Sequence, residues 1–275
     1  MPKVKVGNAE IISLLDLNAA FPLNAVFPNV PAESWALYAD LYPGSVKDGM
    51  LFTNFQAFAV RSPEGVVLVD MGGGSGPHDF LGGQEGQLGN ELRSNGIAPT
   101  DVTAVIFTHL HFDHVGWAMG ADGKPFCPNA RYIAPQADWD MLGKADGYPP
   151  LEALQGLRDS GRLEFVTGES NVNPAVSIVP TRGHTPGHQS IAVVSNRERA
   201  FIAGDLAPTQ AVLQETDWVF GYDGDPPTNI ATRNRIFALL EERGDIAAFG
   251  HFVTPNCIGR VVREGGRRMF KPIVS

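Results

Sequence analysis

Residues 108–114 read THLHFDH, so three of the chain's seven histidines and an aspartate stand within a few positions of one another. Imidazole nitrogen and carboxylate oxygen are the donors that zinc and similar divalent cations accept. A short apolar run, AVIF, leads into Thr108. In an extended chain residues i and i+2 point the same way, so His109 and His111 face one point. Asp113 and His114 follow as the chain turns and offer a second pair of donors nearby. Crowded core histidines without a shared ion would each need a separate polar partner, which is costly to bury.

Three distant residues occupy comparable places. His184 follows VSIVPTRG, Asp205 follows AFIAG and His251 follows IAAFG. Each stands just past the end of a predicted strand, where open sheets carry ligand sites. Alone, each is a weak signal. With residues 109–114 they make seven donors, and a single zinc site needs only three or four. The count therefore points to two cations. Zinc is the first candidate, with manganese, cobalt and iron open. One zinc lowers the pKa of bound water to about 7, and two ions sharing a hydroxide fix a nucleophile and steady the developing oxyanion. No protein nucleophile is then required, and no GxSxG elbow is present.

The motifs THLHFDH, GHTPGH, AGD and a late GH, in this order, resemble the metallo-β-lactamase superfamily over roughly residues 50–255. The resemblance implies an αββα four-layer sandwich, with two mixed sheets flanked by helices. It implies His109, His111 and His184 on one metal, Asp113, His114 and His251 on the other, and Asp205 bridging them. Asp113 would also shuttle a proton to the leaving group. Asp70, which ends the strand VVLVD, and His188 of GHTPGH would stand behind the ligands. A turn-forming Asp70 and a structural His188 are the plain alternatives. His78 has no assigned role, and the glycines at 72–74 read as a tight turn rather than a phosphate loop.

Within that superfamily the stretches HFDHVGW, FCPNARYIAPQADWD and DPPTNIATRNRIFALLEERG are similar to the branch of N-acyl homoserine lactone lactonases and methyl parathion hydrolase. Those lactonases carry a Tyr three residues after the bridging Asp, where this chain has Pro208. A phenol must then come from elsewhere, with Tyr222 the candidate. The favoured reading is a dinuclear hydrolase of lactones or esters. An aryl ester or phosphotriester hydrolase is the alternative, and a metal-binding protein without turnover is the second. The complete ligand set favours the enzyme readings. Candidate pocket walls are Trp117, Phe252 and, folding over from the N-terminal segment, Phe27 and Trp35.

The elements that must position these residues are short apolar runs bounded by Gly, Pro, Asn or Asp. The spacing predicts strands at 51–60, 65–70, 102–107, 131–134, 176–180, 190–195, 200–203 and 246–249, and another in CIGRVV. Helices are predicted at 135–144, 150–161 and, most clearly, 228–244. There Thr228 can cap the start, and Arg243 with Gly244 marks the end. The whole chain reads as one domain. Residues 1–50 are expected to form an N-terminal extension serving as pocket wall or dimer contact.

Composition narrows the partners. The chain has 275 residues, 43% hydrophobic, with a net charge of −9. An acidic chain without a Lys/Arg cluster does not suit nucleic acid. A small-molecule substrate and a homodimer are the expected partners. Only 24 residues follow His251, too few for the helical extension of glyoxalase II. No signal peptide or membrane span is evident, so a cytoplasmic location is expected. Cys127 and Cys257, far apart and outside any CxxC, are expected as free thiols.

Overall fold

Apolar side chains on successive residues of a strand face opposite sides, and in this chain both sides are buried. A computed structural model describes residues 1–144 and 152–273. Its first mixed sheet contains β1 (Lys3–Val6), β2 (Ala9–Pro22), β3 (Val46–Lys47), β4 (Met50–Ser62), β5 (Gly65–Val69), β6 (Val102–Ile106), β7 (Arg131–Pro135) and β8 (Leu163–Val166). The second contains β9 (Ser170–Asn173), β10 (Val176–Pro180), β11 (Gln189–Ser195), β12 (Glu198–Ile202), β13 (Ile246–Ala248), β14 (Ile258–Glu264) and β15 (Arg267–Pro272). The strand order is β1-β2-β4-β5-β6-β7-β8, with β3 on β4, in one sheet and β15-β14-β13-β12-β11-β10-β9 in the other. Pairs β5–β6, β6–β7, β7–β8 and β12–β13 are parallel, and the remaining pairs are antiparallel.

The alternation divides the core. Ile11, Phe58, Val67, Val69 and Ile106 face the second sheet and pack with Ile178, Ile191, Val193 and Ile202. Their neighbours Ile12, Ala57, Leu68 and Val105 face the other way, against Leu88 and Leu92 of the helix Leu88–Ser94 and Leu154 and Leu157 of the helix Glu152–Asp159. The helix Pro226–Arg243 covers the second sheet through Ile236, Phe237 and Leu240. The layers are therefore helix, sheet, sheet, helix, as the sequence leads one to expect.

Several boundaries differ from the expected ones. The long helix starts at Pro226, because Asp225 rather than Thr228 caps it by accepting from the Thr228 amide at 3.2 Å. The helix predicted over 135–144 is the single turn Gln136–Trp139 followed by turns. The predicted helix 150–161 begins in residues that lie outside the described ones. Strands β1, β2, β3, β8, β9 and β15 go beyond the predicted set. Both cysteines are free and buried. Among the described residues no helix is long and apolar enough to cross a membrane.

The segment expected as an N-terminal extension begins with two strands of the first sheet, and β2 pairs with β4 along twelve register positions. That register slips between Leu15 and Leu17, leaving Asp16 as the extra residue of a bulge. Bulges re-aim side chains beside functional sites. Here the Asp16 carboxylate accepts from the amides of Gly73 (2.8 Å), Gly74 (3.3 Å) and Leu88 (2.9 Å) and from the Trp117 indole N–H (2.8 Å). Burial raises its pKa, and those same donors oppose the rise. The loop it holds carries Met71, whose amide donates to the His114 carbonyl at 2.7 Å. Asp16→Ala strands these four donors, so it should lower unfolding stability by about 3 kcal/mol or more in a denaturant titration. A loss below about 1 kcal/mol would remove this anchoring role.

Candidate metal centre

All seven predicted donors sit at one edge of the sandwich, where strands end. His109 and His111 follow β6, and Asp113 and His114 lie on the helical turn Phe112–Val115. His184 follows β10, Asp205 follows β12 and His251 follows β13. The approach is tight: a Cβ on Gly204, whose φ is +55°, would meet His188 Nε2 at 2.7 Å. Glycine alone fits there without strain.

The side chains converge as two overlapping sets. His111 Nδ1 lies 3.0 Å from His109 Nε2 and 3.1 Å from His184 Nε2. In the other set, Asp113 Oδ2 lies 3.6 Å from His114 Nε2 and 3.7 Å from His251 Nε2. Asp205 stands between them. Its Oδ2 is 2.9 Å from His251 Nε2, 3.3 Å from His184 Nε2 and 3.8 Å from His109 Nε2, and its Oδ1 is 3.3 Å from His114 Nε2. Two donors each about 2.0–2.1 Å from one tetrahedral cation stand a little over 3 Å apart, in keeping with this spacing.

Two observations test the fit to cations. His114 Nε2 and Asp205 Oδ1 are buried and have no hydrogen-bond partner. Such atoms are expensive to bury unless something completes them. The donor types, imidazole nitrogen and carboxylate oxygen, are those a borderline divalent cation takes. The arrangement fits the group.

Electrostatics divide the histidines. Burial, followed by the neighbouring histidines, pushes His111 down to about 3 and His109 well below the usual imidazole range. These rings stay neutral with lone pairs available. Burial opposes protonation of His114 and His251 too, but carboxylates outweigh it. Asp205, Asp70 and Asp113 lift His114 well above its usual value, and Asp205 with Asp113 lifts His251 to about 9. Burial would raise Asp205, yet His251, His114 and His109 hold it well below the normal carboxylate range.

The opposite ring nitrogens are anchored. His114 Nδ1 donates to Asp70 at 2.8 Å, and Asp70 also accepts from the Thr108 amide and hydroxyl. Asp70 thus stands behind a candidate ligand. His251 Nδ1 donates to the Asn54 carbonyl at 2.7 Å. His184 Nδ1 donates to Asp223 at 3.0 Å. Such partners select the tautomer and orient the ring. His188 instead braces the backbone. Its Nε2 accepts from the Asp205 amide at 3.0 Å while Nδ1 donates to the Thr181 carbonyl. Burial, then His184, pushes it down to about 3, the neutral form this pairing needs.

Sequence reasoning missed Asp16, Asp138, Asp223 and Arg233. Asp138 is fully buried and accepts from the Leu110 amide, the Thr185 hydroxyl and the Gly187 amide, joining the two histidine-bearing loops. Burial and these donors pull its pKa in opposite directions, and burial wins. No local spacing announces any of the four.

The centre floors a cavity of about 670 Å³. Phe21, Phe55, Phe80, Phe112, Phe220 and Tyr222 give it aromatic walls, and among the described residues no lysine or arginine lines it. Tyr222 lines the cavity and is 56% exposed. Four expected walls lie elsewhere. Phe27 and Trp35 are buried with Trp218, a layer behind Phe220. Trp117 turns its indole to Asp16 and packs on Phe126. Phe252 stacks on Phe249 at 4.3 Å. In each case burial of a large ring against other rings outweighs contact with the cavity.

Residues 56–251 match the family described as the Metallo-beta-lactamase superfamily. An N-acyl homoserine lactonase from a Bacillus species is 25% identical over 227 residues, covering 77% of this chain and 84% of that protein. AidC, a dizinc quorum-quenching lactonase solved in complex with a product, shares the fold with a TM-score of 0.84 at 20% identity, covering 100% of this chain and 97% of that one. The hydrolase AbOPH gives 0.85 at 23% identity, with 99% and 97% covered.

Asp205→Asn keeps the side-chain shape and removes the charge shared by both sets. If each set holds a cation, metal content of the purified variant should fall by at least one ion per chain relative to wild type. Two ions retained at wild-type affinity would exclude a bridging role.

Proposed function

The chain belongs to the metallo-beta-lactamase superfamily and is a hydrolase, and from that premise we propose that it uses two divalent cations, zinc first, to open lactones that carry an apolar substituent. The observation that carries this reading is the placement of Asp205. Its one carboxylate lies within 3.3 Å of nitrogens from both histidine sets, at the floor of an apolar cavity. Cations held there would supply a hydroxide at neutral pH and positive charge for the attacked oxygen. Asp113 lines the same cavity, and its carboxylate can take up the proton released by the attacking nucleophile and pass it to the departing oxygen. The aromatic walls take up the apolar substituent and exclude water.

The lining also selects. Apart from the cations themselves, no lysine or arginine among the described residues lines the cavity to pair with a further anionic group, and the lining is largely apolar, which suits a neutral ester or lactone with an apolar substituent. The Bacillus relative named as a lactonase supports the lactone. A second reading, aryl ester or phosphotriester hydrolysis, draws on Pro208, which lines the cavity where the resembling lactonases carry a phenol. Tyr222 is the phenol available among the lining residues.

A panel of a lactone, an aryl ester and a phosphotriester, assayed with zinc, manganese, cobalt and iron, tests this directly. Lactone turnover should lead, vanish after chelation and return with metal. Faster phosphotriester turnover would favour the second reading. No turnover of any substrate by the metal-loaded protein would leave a binding protein. Tyr222→Phe should lower kcat about 100-fold with an unchanged melting temperature if the phenol steadies the oxyanion. An unchanged kcat would dismiss that role.

A further inference from the structure

A fully buried guanidinium lies behind the site with no part in the chemistry described so far. Arg233, on the helix Pro226–Arg243, spends its donors on three separate segments. Nε donates to the Leu206 carbonyl at 2.7 Å, one residue past Asp205. Nη1 donates to the Trp218 carbonyl at 2.9 Å, at the root of the cavity wall. Nη2 donates to Asp223 Oδ2 at 3.0 Å. The other oxygen of Asp223 accepts from His184 Nδ1 at 3.0 Å and from Asn229 at 2.7 Å. Both members of the ion pair have fully buried side chains. A buried pair of this kind adds little stability over an apolar replacement, so its presence is better explained by what it positions.

The two candidate cation sets are backed differently. Behind His114 stands Asp70, whose other partners are the Thr108 amide and hydroxyl rather than a cation. Behind His251 stands a carbonyl. Only behind His184, among the described candidate ligands, is the backing carboxylate met by a guanidinium. The set of Asp113, His114 and His251 therefore has two carboxylates without a lysine or arginine partner, Asp113 and Asp70. The set of His109, His111 and His184 has a neutralised pair behind it and no carboxylate of its own. Charge draws a cation to the first set, whereas the second depends on how its rings are held.

We propose that Arg233 is a positioning residue which, through Asp223 and the Leu206 carbonyl, holds His184 in register with Asp205 and so governs occupancy of the three-histidine site without governing the other. This rests on the two-cation reading above. The same helix is fastened to the His184 loop by a Thr232 hydroxyl that donates to the Arg182 carbonyl at 2.9 Å, so a shift of the guanidinium is passed to both sides of the site.

The test is a titration of metal-free protein with cobalt or zinc against a competing chelator, for wild type, Arg233→Lys and the double variant Arg233→Met with Asp223→Asn. Lysine keeps the charge but cannot span three acceptors. The double variant removes both charges together. One cation should bind about 10- to 100-fold more weakly in each variant while the other is unchanged. kcat should fall more than KM rises. In a His184→Ala background, Arg233→Lys should leave the remaining cation unaffected, which assigns the loss to the three-histidine site. Both affinities unchanged in Arg233→Lys would overturn the proposal, as would an equal fall in both accompanied by a lower melting temperature. If the double variant does not fold, Arg233→Lys decides alone. Wild type binding no cation would instead overturn the two-cation reading itself, and this proposal with it.

Discussion

The structure is organised around the cost of gathering lone pairs and carboxylates out of water at one point. His109, His114, Asp113, His184, Asp205 and His251 are all buried, and several of their donor atoms sit about 3 Å apart. Such a cluster is tolerable only if each ring is held from behind and a positive charge completes the front. The held side is visible residue by residue. Asp70, Asp223 and the Asn54 carbonyl each take one imidazole N–H. The front is where His114 Nε2 and Asp205 Oδ1, 3.3 Å from each other, have no hydrogen-bond partner.

Aspartates outside the candidate ligand set extend this framework. Asp16, turned inward by the β2 bulge, ties together the 71–74 loop, the start of the helix Leu88–Ser94 and Trp117. Asp138 ties the 108–111 loop to the 184–187 loop. Each is a buried acceptor serving several backbone donors, a role that loops need because no ladder satisfies their amides. The sheets thus end in loops that are fastened to one another, and the candidate ligands stand on or beside those loops.

The cavity is built in two layers of rings. Phe220 faces the space, and Phe27, Trp35 and Trp218 pack behind it. Elsewhere on the wall Phe55, Phe112 and Phe80 meet edge to face at 5.7 and 5.6 Å. A wall of this kind is shaped by packing, and Tyr222 and Asp113 stand among the polar residues that line the same cavity.

Much of this was legible from sequence for a local reason. Within residues 108–114 the spacing itself sets geometry, because i and i+2 share a direction along an extended strand and a turn brings in the next pair. His184, Asp205 and His251 could be recognised because each follows a short buried strand, and the alternating and continuous apolar runs locate those strands. The seven donors follow from these signals, whereas the four-layer sandwich was implied by the family resemblance that the motifs carry. The rest depended on neighbours remote in the chain. Asp16 reads as a break in an apolar run until the register of β2 on β4 shows it as a bulge. The bond from His184 to Asp223 crosses 39 residues and the one from Asp223 to Arg233 crosses 10, and no periodicity marks them. Which aromatic faces the cavity was also decided only in three dimensions, since Phe252 and Trp117 adjoin the site in sequence yet turn away to bury their rings. Sequence determined the chemistry available at the strand ends, and tertiary packing decided which side chains hold that chemistry in place.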